Sequence, residues 1–386
     1  MEKMRIVLGL VVFVALMGSV TAQENYKTVD TKEEFYNNNF HEVKSYDLDA
    51  SYFADKPKNI VLLIGDGMGV DQVFSGFTAN KGKLNIQNFK CIGFSKTQSA
   101  DNYVTDSAAG GTALACGKKT CNGAIGVDEQ GKEIISILKV AENNKLATGL
   151  VSTSAITHAT PASFIANQPQ RSMYEEIAAD FLDTDIDVFI GGGSDFFTKR
   201  KDKRNLVEEL KGKGYKMFTS LDAAAKVKRG KVGVLTAPAH NPAYKERGDM
   251  LVKATDKALE ILSKDKDGFF LMVEGSQIDW AGHQNNTAFL AGEMLDFDRA
   301  IGKVLDFAIK DKETLVIVTA DHETGGLAVV GGDIQKGYVK GGFVTGGHTG
   351  VMVPVFAIGP GAKEFMGIYE NTAIFDKMMK LFEFSE

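Results

Sequence analysis

At 386 residues the chain can bury a large core, and its 44% hydrophobic and 24% charged content is that of an ordinary globular protein. A formal charge of −6, with no dense Lys/Arg block interleaved with aromatics, argues against a nucleic-acid binder. The one basic run, Lys199 to Arg204, reads as a solvated loop or helix start.

Lys3 and Arg5 precede a short apolar run from Ile6 to Gly18, and Val20-Thr21-Ala22 supplies small residues before Gln23. This is the pattern of a cleaved export signal over residues 1–22. The run is too short to span a bilayer comfortably. The mature chain, residues 23–386, is therefore expected as one domain in the periplasm or outside the cell, with no stable membrane anchor. Residues 23–56 are polar and aromatic without a clear period, and are expected to wrap the surface.

Asn59 to Gly65 is a continuous apolar run, the pattern of a strand covered on both faces. Similar runs recur at Ala147 to Ser152, Val188 to Gly191, Lys231 to Leu235, Gly268 to Val273, Thr314 to Thr319 and Val353 to Gly359. Helical periodicity fills Ser172 to Leu182, Asp249 to Ser263 and Ala288 to Ile309. The alternation predicts an α/β fold, a central mostly parallel sheet flanked by helices on both faces. The glycine-dense stretch Gly325 to Gly350 suits a pair of short strands and loops at the functional end of the sheet, near a possible subunit contact.

Three cysteines, Cys91, Cys116 and Cys121, leave at least one thiol free in a monomer. Cys116 and Cys121 are close enough to close a small loop, and whether they do is open. No Cys-x-x-Cys pair exists, which disfavours metal ligation by sulfur.

The stretch Val104-Thr105-Asp106-Ser107-Ala108-Ala109-Gly110-Gly111 places a hydroxyl beside a carboxylate and follows it with small residues that can begin a tightly packed helix. A helix N-terminus offers unpaired N–H groups and the positive end of the dipole to a tetrahedral anion. Three apolar runs end in acids: Asp66, Glu274, and Asp321 followed by His322 and Glu323. Ligands of open α/β sheets bind beyond the carboxyl ends of the strands, so these acids are expected to converge there. Carboxylates buried together need cations to neutralise them. Asp279 and His283, four apart, share one face of a helix or turn, and His348 sits in a flexible Gly-Gly-His-Thr-Gly setting. Mixed Asp/His ligation suits zinc, and all-oxygen ligation suits magnesium. His41 and His240 read as structural.

Taken together, Gly65-Asp66-Gly67-Met68-Gly69, Thr105-Asp106-Ser107-Ala108, Thr157-His158-Ala159-Thr160-Pro161-Ala162, Glu274-Gly275-Ser276-Gln277-Ile278-Asp279, Thr319-Ala320-Asp321-His322-Glu323-Thr324 and His348-Thr349-Gly350 resemble the alkaline phosphatase family in content and order. The resemblance runs from about Pro57 to the C-terminus. It implies hydrolysis of phosphate monoesters through a phosphoserine on Ser107, with broad specificity and an alkaline optimum. Two zinc ions and one magnesium per subunit are implied, and a homodimer. Asp279, His283 and His348 would hold one zinc; Asp66, Asp321, His322 and Ser107 the second. Asp66, Thr160 and Glu274 would complete the magnesium site. Arg171 falls where the family keeps its phosphate-binding arginine, and Asp106 is expected to orient it or the helix start.

His158 and Trp280 stand where some members carry an aspartate and a lysine near the third metal and the phosphate. The missing positive charge implies weaker retention of product phosphate and a looser third site. Two other readings are a phosphodiesterase or sulfatase on the same scaffold, and a catalytically dead phosphate- or metal-binding protein. The former often carries a different nucleophile, and the latter would be expected to lose Ser107, Arg171 or a zinc ligand.

Overall fold

A computed structural model describes residues 33–48 and 52–384. The export signal expected over residues 1–22 lies outside them. Among the described residues no helix is long and apolar enough to cross a membrane.

Ten strands form the central sheet, in the order Gly367–Glu370, Cys91–Lys96, Val353–Ile358, Thr314–Thr319, Asn59–Gly65, Phe269–Gly275, Ala147–Ala155, Val188–Gly192, Val232–Leu235 and Lys216–Phe218. Val353–Ile358 runs antiparallel to both of its neighbours, and every other pairing is parallel. This is the α/β architecture read from the apolar runs. Those runs became strands because parallel strands are covered on both faces, and Ile60 to Ile64 are indeed 0% exposed. The strands Cys91–Lys96, Lys216–Phe218 and Gly367–Glu370 carried no such signal. They lie toward or at the sheet's edges, where one face stays partly open and a continuous apolar run is not required.

One face of the sheet packs against the helices Met250–Leu262 and Thr287–Asp311, and the other against Ser107–Cys116, Ile137–Asn143 and Thr372–Phe382. The helix predicted over Ala288 to Ile309 runs for 25 residues, with the Asn286 side chain capping its start by accepting from the Phe289 N–H. The glycine-dense stretch forms the antiparallel pair Leu327–Asp333 and Tyr338–Phe343, and Glu34–Tyr36 adds a third strand beside the latter. Part of the segment expected to wrap the surface is thus paired into a small sheet. All three cysteines are free thiols.

The helix Ser107–Cys116 is buried along its whole length. Its small residues let it approach the strand ends closely: a Cβ at Gly110 would lie 3.0 Å from the Asp321 carbonyl oxygen. Any larger side chain there would push Ser107 away from Asp321 and His322.

Candidate active site

Three adjacent strands, Thr314–Thr319, Asn59–Gly65 and Phe269–Gly275, deliver Asp321, Asp66 and Glu274 to one end of the sheet, all 0% exposed. Gly67 lets the chain turn sharply after Asp66. It holds φ +74°, and a Cβ there would sit 2.8 Å from the Asp279 Cα. Asp279 and His283 lie on the short helix Gln277–His283, as their spacing predicted.

His322 Nε2 lies 3.1 Å from Ser107 Oγ and 3.3 Å from both Asp66 Oδ1 and Asp321 Oδ2. Next to this group, His348 Nε2 and His283 Nε2 are 3.1 Å apart, at 3.4 and 3.3 Å from Asp279 Oδ1. The outer ring nitrogens are occupied. His283 Nδ1 faces the Gly346 carbonyl and His348 Nδ1 the Thr105 carbonyl, each at 2.8 Å. Those carbonyls take the Nδ1 N–H of each ring, which leaves both Nε2 atoms beside Asp279 as the ones a metal would take in place of a proton.

Three sets of side chains bring ligand atoms within 4.8 Å of one another: Asp279, His283 and His348; Asp66, Asp279 and His322; and Asp66, His158 and Glu274. Asp279 joins the second set as well as the first, and Asp321 borders it through His322. In the third set His158 contributes a nitrogen beside the two acids, where the sequence reading placed it near the metal and the substrate. The Thr160 hydroxyl, two residues after His158, is fully buried. Asp66 Oδ1 and Oδ2, Asp321 Oδ2, Glu274 Oε1 and Thr160 Oγ1 are buried with no hydrogen-bond partner among the described residues. Orphaned acceptors of this kind are expensive, and divalent cations satisfy them, so the donor set fits the metals that the resemblance implies.

The electrostatics agree. Burial, reinforced by Asp321, Asp279 and Glu274, holds the Asp66 carboxyl well above the usual range. Burial and Asp279 push Asp321 up to about 7. Burial opposes ionisation of Asp279 too, but the His283 and His348 imidazoles outweigh it and hold Asp279 well below the usual range. His283 rises to about 9 because Asp279 overrides its burial. Burial and His348 hold His322 well below its usual value, in the neutral form that ligates metals.

Asp106 caps the helix that begins at Ser107, accepting from the Ala109 N–H at 3.0 Å. Its other oxygen accepts from the Gly123 N–H and from Arg171 Nη1, both at 3.0 Å. Arg171 Nη2 lies 3.3 Å from His158 Nε2, and Trp280 packs edge-on to the His158 ring with centroids 6.1 Å apart.

Several supporting residues escaped the sequence reading. Ser152 donates to Glu274 Oε2 at 2.6 Å and meets the Ser154 and Ser276 hydroxyls, a cradle formed between two strands. Thr324 Oγ1 bonds Asp279 and His322. Glu323 accepts from Gln72 at 2.6 Å, from the Gly326 and Leu327 N–H groups at 3.1 Å, and from Thr349, beside His348. Its place in the Asp-His-Glu-Thr motif was the available signal. His240, read as structural, packs 4.9 Å from the Trp280 ring. Its neighbours in sequence carry no signal for that.

Acids and imidazoles gathered this tightly call for cations, and cations beside a helix-start hydroxyl make a metal-dependent hydrolase. A family model described as alkaline phosphatase matches residues 57–340. Alkaline phosphatase 3 of Bacillus subtilis (strain 168) is 36% identical, with 86% of this chain and 90% of that protein covered. Alkaline phosphatase of Escherichia coli (strain K12) is 32% identical, covering 84% of this chain and 86% of that protein. Among solved structures, alkaline phosphatase from the Antarctic bacterium TAB5 superposes with a TM-score of 0.82 at 46% identity, covering 86% of this chain and 100% of that one. Two variants of that enzyme, each with one histidine replaced by an acid, carry magnesium in the site called M3. The chain belongs to the alkaline phosphatase family, and its activity is that of an alkaline-phosphatase-type hydrolase.

Proposed function

We propose that the protein hydrolyses phosphate monoesters of broad structure at alkaline pH through a phosphoserine on Ser107. The observation carrying this is the position of Ser107 Oγ, at the start of a capped helix and 3.1 Å from His322 Nε2. Asp279, His283 and His348 would hold one zinc, and Asp66, Asp321, His322 and Ser107 a second. Asp66, Thr160 and Glu274 would hold magnesium, with His158 at its edge. Bound there, the metals lower the pKa of the serine hydroxyl and stabilise the departing oxygen.

The protein's own groups then do the positioning. The Arg171 guanidinium grips two phosphoryl oxygens, which a lysine could not do in one plane. Asp106 holds that guanidinium in place, and the N–H groups at the helix start face the same anion. Ser107 Oγ attacks in line and the alcohol departs. Water attacks the phosphoserine in line from the side the alcohol left, releasing phosphate and restoring the serine. Two inversions give net retention at phosphorus.

An exported homodimer, with residues 23–386 as its catalytic domain, completes the reading. The helix Val70–Ala79 leaves Val70 52% and Phe74 48% exposed, and Val330 at 60% and Val344 at 86% are apolar side chains of the glycine-dense stretch. Exposed apolar groups on neighbouring elements suit a subunit contact. Metal content measured together with turnover of a monoester, a diester and a sulfate ester tests the assignment. Monoester turnover should dominate; faster diester or sulfate turnover would overturn it.

A further inference from the structure

The aromatic side chains beside Arg171 form one continuous row. His158, in contact with the guanidinium, meets Trp280 and His240 edge-on, with centroids 6.1 and 5.5 Å apart. His240 in turn meets Trp280 at 4.9 Å and Tyr174 at 6.4 Å. Tyr174 stacks on Phe196 at 4.6 Å, with the two planes 12° apart. At the inner end His158 is 1% and Trp280 4% exposed, while His240, Tyr174 and Phe196 are half-buried. The row therefore leads from the phosphate-binding arginine outward to solvent.

The outer rings are held in place. The Ala155 N–H donates to His240 Nδ1 at 3.0 Å. The Arg200 guanidinium donates to the Phe196 carbonyl at 3.3 Å and to the Glu175 carbonyl, tying the helix Ser194–Thr198 to the helix Tyr174–Asp180. The Lys201 N–H adds a bond to Glu175 Oε2 at 3.0 Å. A platform that is rigid before binding loses little entropy when a flat ligand lies on it. None of its three outer rings has a task in phosphoryl transfer.

We propose that His240, Tyr174 and Phe196 form a subsite for the leaving group that takes a flat aromatic ring of nucleobase size. The inference rests on the phosphomonoesterase reading, in which Arg171 anchors the phosphate and the leaving group extends past this row. Contact between a base and aromatic side chains is the same before and during reaction, so it lowers KM and leaves kcat unchanged.

Adenosine 5′-monophosphate and ribose 5-phosphate separate this effect from chemistry, because both release phosphate from the same primary 5′ oxygen and differ in the base. The native enzyme should show a KM about tenfold lower for the nucleotide, equivalent to about 1.4 kcal/mol and within the range of base–aromatic stacking. The kcat values should match. Tyr174→Ala should raise the nucleotide KM to that of ribose 5-phosphate without changing either constant for the sugar phosphate, and Tyr174→Phe should restore the difference. Phe196→Ala should act like Tyr174→Ala. Equal KM values in the native enzyme would overturn the subsite, as would a Tyr174→Ala variant that weakens both substrates alike. Failure to hydrolyse either compound would instead overturn the phosphomonoesterase reading.

Discussion

Asp106 joins two parts of the site with one carboxylate: Oδ1 caps the helix carrying Ser107, and Oδ2 accepts from Arg171 Nη1 at 3.0 Å. The carboxylate thereby couples the direction of the arginine to the position of the hydroxyl. Asp106→Ala should cost about 1 kcal/mol in stability through the lost cap. It should also loosen Arg171, raising KM and the inhibition constant for phosphate by up to about tenfold. Asp106→Asn keeps a capping oxygen and should recover most of the stability. Thermal melts and product-inhibition kinetics read the two effects separately.

Ser107→Ala removes the hydroxyl facing His322 while leaving the helix cap on Asp106. Turnover should fall by orders of magnitude. Acid quenching of the native enzyme with substrate should trap a phosphorylated peptide containing residue 107, and the variant should yield none. A phosphopeptide elsewhere in the chain would reassign the nucleophile.

Trp280 follows the metal-site residue Asp279 and packs against His158, which touches Arg171. Trp280→Lys would place a second cation near the bound phosphate. Inhibition by inorganic phosphate should tighten by about tenfold, the effect of roughly 1.4 kcal/mol. An unchanged inhibition constant would mean that the missing charge does not set how product is retained.

Stripped of metal, the site should make the protein less stable as pH rises from 6.5 to 9. His283, raised to about 9 by Asp279, and His348, also raised, hold protons in the folded state that the unfolded chain has released. Their stabilisation is complete below the unfolded value of about 6.5 and is lost as pH rises through the folded value. Asp321, raised to about 7, and Asp66 act in the same direction, because deprotonating them in the fold leaves uncompensated buried charge. His322, held below its unfolded value, opposes them only near the unfolded value of about 6.5 and adds nothing to the slope above it. Added zinc should therefore raise the melting temperature more at pH 8 than at pH 6.5. Melting of the chelated protein that is flat or rises across this range would contradict the electrostatics.

The seven apolar runs were legible as strands because burial on both faces leaves a continuous hydrophobic signature. The strand Cys91–Lys96 was not, since one of its faces is partly open and alternates Ile92, Phe94 and Lys96. The acids at strand ends were legible for a similarly local reason: a carboxylate straight after a buried run has few roles. His240 was opaque. Its placement depends on the Ala155 N–H that it meets across 85 positions of sequence. The Ser152–Glu274 cradle is likewise a contact between neighbouring strands far apart in the chain.

By itself the sequence determined the α/β class, the helix start at Ser107 and the membership of the acid and histidine motifs, because each is written in local spacing and burial pattern. Only the tertiary structure decided how those groups meet. It set His322 against Ser107, Asp66 and Asp321, placed Asp279 between two ligand groups, and drew His158 toward Glu274 as well as Arg171. Close packing of a glycine-bearing helix against the strand ends sets those distances, and that packing is a property of elements far apart in the chain.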